Sequence, residues 1–223
     1  MNVGSPNDSA APAGPGSTGA ASWSRLLPVF FVFFLSGFAA LLYQVVWQRS
    51  LFAIYGINVE SVTVVVTAFM LGLGIGSLVG GALSRDPRRP VLLMFAGVEL
   101  AIGAFGAISL WLFHVVGSLT LSMSPVVTAV VTFLLVLAPT MLMGGTLPLL
   151  VAHLVRASGN VGRSVGVLYF VNTLGSAAAS LLSAIVLLAR LGQQRTVLLA
   201  AVLNATAALI VYLRYRADRK ATS

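Results

Sequence analysis

Six long apolar stretches follow one another through almost the whole chain, and the connections between them are too short to hold a second domain. They occupy residues 26–47, 61–83, 91–113, 126–152, 164–188 and 196–213. Each is close to or above the roughly 20 residues that cross a hydrocarbon core of about 30 Å as a helix. A soluble core helix would carry a polar face at 3.6-residue spacing, and these runs carry almost none. A spanning segment must satisfy its backbone internally, which leaves helices or a closed barrel, and unbroken apolar runs select helices. The expected fold class is all-α, a polytopic membrane bundle of six transmembrane helices. The expected organisation is a disordered tail over 1–24, a membrane domain over 25–216 and a second tail over 217–223.

Composition narrows the chemistry. Charged residues make up 8% of the chain, against about 25% in ordinary globular domains. Cysteine is absent, which excludes disulfides, thiol catalysis and thiolate metal sites. His114 and His153 lie toward opposite ends of the third and fourth helices and cannot build a metal site unaided. Neither a metal nor a cofactor is expected.

The net charge of +8 suggests nucleic acid until the charges are placed on the spans. Ten of the 13 basic residues fall on one side: Arg25, Arg85, Arg88, Arg89, Arg156, Arg163, Arg214, Arg216, Arg219 and Lys220. The other side carries Arg49, Arg190 and Arg195. By the positive-inside rule both termini are expected in the cytoplasm, in a bacterial inner membrane. The basicity then reads as a topology signal and an attraction to the lipid bilayer's anionic headgroups, with no nucleic-acid partner. The Ser-, Ala-, Gly- and Pro-rich first 24 residues hold too little apolar content to fold alone. The apolar run after Arg25 continues to Trp47, beyond the ~7–15 residues of a signal-peptide core, so a retained first helix is expected.

Four motifs occur in order: LSGFAALLYQVVWQR (35–49), TAFMLGLGIGSLVGG (67–81), PTMLMGGTLP (139–148) and GRSVGVLYFVNTLG (162–175). Together they resemble the membrane domain of the bacterial fused major-facilitator/spermidine-synthase-like family, over nearly all of the chain after residue 25. The resemblance implies a bundle like half of a major facilitator. In that family a soluble aminopropyltransferase-like domain commonly follows, and this sequence stops at Ser223 without one. The family often carries a glutamate where this chain has Gln44, so a carboxylate-dependent role at that position is not expected here.

Aminopropyl transfer needs carboxylates to hold amines and a pocket for a nucleoside. The five acids are Asp8, Glu60, Asp86, Glu99 and Asp218, and none lies in a folded soluble unit, so catalysis by the chain alone is not expected. The glycines between Gly72 and Gly81 lack the βαβ setting of a dinucleotide fingerprint and suit close helix packing.

Several candidate sites follow. Glu99 lies eight residues past Val91, roughly 12 Å along a helix rising 1.5 Å per residue, near the bilayer midplane. A carboxylate there costs at least ~2.5–3.5 kcal/mol on insertion scales and normally faces a bundle interior or wet cavity. Asn172 lies at the same depth on the fifth helix and could meet it; Thr140 belongs to the same candidate polar site. Either a structural hydrogen bond or a proton or cation site would explain Glu99. Toward the outer side, Tyr43, Gln44, Arg49 and Glu60 form a second cluster, with Tyr43 and Trp47 placed as interfacial anchors and Arg49 able to pair with Glu60. The loop with Arg85, Asp86, Arg88 and Arg89 resembles the clamp between the second and third helices of major facilitators. It reads equally well as an ordinary positive-inside loop.

Pro139, Gly144, Gly145 and Pro148 suggest a broken or kinked fourth helix. Small residues in the second and fifth helices suit an inverted three-plus-three repeat. A complete transporter of that kind would need a homodimer or a partner protein. Three functions stay open: an anchor or partner for a separate soluble aminopropyltransferase-like enzyme, a half-size transporter of polyamines or other small cations, and a structural membrane subunit. A polycation carrier would want several carboxylates, which favours the first and third.

Overall fold

The computed structural model describes residues 18–55, 59–120 and 122–221, and their side chains except at 18–25, 54–55, 59–61, 218 and 221. The described residues form helices α1 (Thr18–Tyr55), α2 (Val59–Ser84), α3 (Val91–Thr120), α4 (Pro125–Ser158), α5 (Val161–Leu182) and α6 (Gly192–Ala221). Beyond Leu182, α5 continues through a π-helical turn at Ser183–Leu187 and a last α-turn at Leu188–Arg190. All six contain stretches long and apolar enough to cross a membrane.

The helix ends follow from local chemistry. Ser124 caps α4, accepting from the Val127 N–H, and Pro125 takes the first position, where its missing N–H costs nothing. Gly159 closes the helix in the left-handed region at φ 69°, its N–H donating to the Val155 carbonyl. One residue later Asn160 caps α5 by accepting from the Arg163 N–H at 2.9 Å. A second left-handed glycine, Gly192 at φ 71°, turns the chain into α6.

Two expectations need correction. Residues 18–24, expected in a disordered tail, form the first turns of α1, because an established helix extends cheaply through Ala20 and Ala21. Residues 1–17 of that tail lie outside the described residues. The last apolar span ends at Ala217, and the helix itself runs on through the second tail to Ala221, with Arg219 and Lys220 in its final turn, where the helix dipole favours cations. The fourth helix is not broken: it is continuous through Pro139 and Pro148. Thr140, next to Pro139, directs its hydroxyl at the carbonyls of Val136 (3.0 Å) and Leu137 (2.9 Å), and Thr146 does so at Met143 (2.7 Å). The carbonyls that the two prolines leave without a helical N–H are those of Leu135 and Gly144, a loss that membrane helices tolerate when neighbouring helices pack against the site.

Packing is organised around α1 and α4. Helix α2 lies along α4 and α5 lies along α1; α1 also packs on α6, α4 also packs on α3, and α3 faces α6. Exchanging α1 with α4, α2 with α5 and α3 with α6 maps these pairings onto themselves. That is the pattern of two inverted three-helix units. Within a bilayer, apolar burial does not drive helices together, so contact rests on close van der Waals packing. Small residues supply it: a Cβ at Gly76 would overlap the Met141 carbonyl, and one at Gly144 would overlap the Leu73 carbonyl. On the other side, Gly175 of α5 sits directly against Phe34 of α1.

Candidate functional site

The site begins with two helix stripes. Ser36 and Tyr43 lie seven residues apart on α1, two turns along one face. Glu99, Gly103 and Gly106 share a face of α3 in the same way. Where the faces meet, the Ser36 hydroxyl donates to Oε1 of Glu99 at 2.5 Å. Glu99 and Tyr43 are both 0% exposed. Gly106 leaves the space that the hydroxyl end of the Tyr43 ring fills, since a Cβ there would overlap it. Trp47 stacks on Tyr43 from one turn further on, ring centroids 5.1 Å apart. Its Nε1 donates to Ser109 Oγ at 2.9 Å, and Ser109 in turn donates to the Gly106 carbonyl at 2.7 Å. The Tyr43 ring is thus fixed between Gly106 and Trp47.

A third helix completes the cluster. Asn204 of α6 is buried and packs its Cβ toward Gly103, one turn beyond Glu99. Three buried polar atoms of this neighbourhood, Glu99 Oε2, the Tyr43 hydroxyl and Asn204 Oδ1, have no hydrogen-bond partner among the described residues. Glu99 also makes no ion pair among them. The donor set is all oxygen: carboxyl, phenol, amide carbonyl and the Ser36 hydroxyl. Its chemistry is that of a proton or small hard cation, or of a polar tie between helices.

The structure brings together some of the residues singled out from sequence and separates others. Glu99 faces the interior, as its depth and stripe of small residues suggest. It does not meet Asn172. Asn172 lies on the far side of α1 against Gly37, where a Cβ would come within 2.6 Å of its Oδ1. Equal depth is not sufficient, because α5 packs on α1 while Glu99 projects from α3. Thr140 is likewise elsewhere, buried against α2 with its hydroxyl 3.3 Å from the Ala68 carbonyl.

The outer cluster also divides. Tyr43 and Trp47 are not interfacial anchors but buried core residues, because glycine on α3 opens room for an aromatic ring. Gln44 is half-buried and Arg49 exposed. Glu60 lies near the start of α2, and its side chain, with any pairing to Arg49, is outside the described residues.

The loop joining α2 and α3 is held by a residue outside the clamp motif. Arg156, at the end of α4, donates to the carbonyls of Ser84 and Asp86 at 2.9 Å and of Arg89 at 3.2 Å. Asp86 accepts from the Arg88 N–H at 2.9 Å and pairs loosely with Arg89 at 3.7 Å. Arg85 and Arg88 remain exposed. Sequence reasoning missed Ser36, Asn204 and the clasp of Arg156. Asn204 carried a signal, being a lone amide within an apolar run. Arg156 carried none beyond its charge.

Fold and site together define an integral membrane protein with six spans. Comparison with known proteins returns no matching family, no matching curated protein and no matching solved structure.

Proposed function

We propose that this chain is a membrane-embedded platform that anchors or partners a separate soluble enzyme of the aminopropyltransferase-like type. The observation that carries this reading is the closure of Glu99. A carrier's central acid should line a water-filled route, whereas Glu99 is wholly buried and tied to Ser36. The ordered α2–α3 loop, clasped by Arg156 and presenting Arg85 and Arg88 at the surface, offers a partner a rigid basic rim. Affinity purification of the tagged chain in a mild detergent tests the proposal. Recovery of a stoichiometric aminopropyltransferase-like protein supports it. Repeated purification of intact chain with no such protein would sink it.

A second reading is supported by the inverted helix pairings and the three unpartnered oxygens. On that reading the chain is half of a facilitator-like carrier for a small cation or polyamine, closed in this conformation, and works as a homodimer or with another subunit. Proteoliposomes distinguish the two: cation-driven flux in wild type that disappears in Glu99→Gln favours the carrier, and no flux under any gradient favours the platform.

A further inference from the structure

The three arginines on the side away from the termini lie at the same end of the bundle. Arg49 lies in the last part of the apolar span of α1, Arg190 ends α5, and Arg195 lies in the first turn of α6. Ser50 donates to Gln193 Oε1 at 2.5 Å, which fastens the end of α1 to the start of α6. Between α1 and α5 this end contains a cavity of about 500 Å³, lined by Val45, Arg49, Ser180, Ser183, Leu188 and their small neighbours. That volume is within the range of small-ligand pockets, about 300–1,000 Å³.

The π-helical turn is what shapes it. The Leu188 N–H donates to the Ser183 carbonyl five residues back, so one extra residue is accommodated and the following residues are rotated by about 100° relative to a regular α-helix. Ala184, Leu188 and Ala189 consequently line the cavity beside α1. The Ser183 hydroxyl is spent on the Ser180 carbonyl, whereas the Ser180 hydroxyl and the Arg49 guanidinium have no partner among the described residues. No carboxylate is present among the described side chains at this end. A guanidinium and a hydroxyl suit phosphate oxygens, and the aliphatic wall suits an acyl or other apolar portion.

We propose that this corner is a binding site for a phosphate-bearing anion, held by Arg49 and Ser180 in the cavity, with Arg190, next in the chain to the lining Ala189, adding charge at the same end. The aliphatic lining favours an anionic phospholipid over free phosphate as the source. The site is independent of the platform reading above.

The test uses the full chain in nanodiscs of phosphatidylcholine, of phosphatidylcholine with phosphatidylglycerol, and of phosphatidylcholine with inorganic phosphate replacing chloride at matched ionic strength. Thermal unfolding and lipid retention in native mass spectrometry are the readouts. Phosphatidylglycerol is expected to raise the Tm of wild type by about 2–4 °C and to be retained. Retention should weaken roughly 10–100-fold in Arg49→Gln, well beyond any loss in Arg85→Gln, which removes the same charge at the opposite end. A rise with phosphate alone, lost in Arg49→Gln, would support the site and assign it to the free anion. Equal responses of wild type and Arg49→Gln in both arms would overturn it. So would a loss of stability in Arg49→Gln that is indifferent to lipid and reproduced by Glu60→Gln, since Arg49 would then belong to an ion pair.

Discussion

Ser36 and Glu99, 63 residues apart in sequence, meet through one hydrogen bond in the bundle interior, and the second oxygen of the carboxyl has no partner among the described residues. The bond connects α1 to α3 at a level where lipid offers no alternative partner. It makes the buried acid half tied and half available, which is the property that separates a structural role from a cation-handling one.

Glu99→Gln is expected to fold, because the amide keeps an acceptor for Ser36 and removes the charge. Glu99→Lys should fail to assemble, since a cation there is too deep to reach either surface. Size-exclusion profiles in detergent check both. Full tolerance of lysine would show that the side chain can escape the interior.

Ser36→Ala deletes one donor and should cost about 0.5–1.5 kcal/mol if it serves a neutral acceptor and about 1.5–3 kcal/mol if it serves a charged one. Unfolding in mixed micelles, compared with the same substitution in Glu99→Gln, measures the coupling. Additive losses in the double variant would mean that the two residues do not interact.

At the α2–α4 seam, Gly76→Ala would force a methyl into the Met141 carbonyl, with an expected cost of about 1–3 kcal/mol. Gly74, two residues away, has open space beside it, so Gly74→Ala should be neutral or stabilising by up to about 1 kcal/mol. Equal effects at both positions would contradict the described face of α2.

Arg156→Gln should loosen the loop between α2 and α3, seen as faster amide hydrogen exchange over residues 84–90. Asp86→Ala should change it little, since an exposed pair such as Asp86–Arg89 contributes only about 0–1 kcal/mol. The reverse order of effects would return the clamp role to Asp86.

Fusions of a periplasm-active reporter at Asp86 or Ser223 should be silent if both lie in the cytoplasm. Activity at either would invert the expected topology.

The spans were readable because bilayer thickness imposes a length that apolar runs display directly. Pairing between spans was not. When nearly every residue of a helix is apolar, the face that meets a neighbour differs from the lipid face only in side-chain size. Gly72, Gly76 and Gly80 gave that signal for α2, but nothing in the sequence named α4 as the partner. Glu99 was readable from its charge. Its neighbours were less so, because Tyr43 near the end of an apolar run has the same sequence appearance as an interfacial anchor. Depth placed Asn172 beside Glu99, yet the intervening α1 could only be seen once the helices were assembled. The π-helical turn of α5 has no compositional mark: Ser-Ala-Ile-Val-Leu is ordinary membrane-helix sequence.

The central position of α1 has a consequence for biogenesis. Its polar ties reach Glu99, Ser109 and Gln193, at sequence separations of 63, 62 and 143 residues. At elongation rates of ~5–20 residues per second, the last of these partners emerges roughly 7–30 s after Ser50. Ser36, Tyr43 and Trp47 must wait in lipid or against an insertion factor until α3 emerges about 3–13 s after them, because α2, the next helix, packs mainly on α4. The seat of α1 is complete only when α6 arrives, and the nascent bundle depends on being sheltered until then.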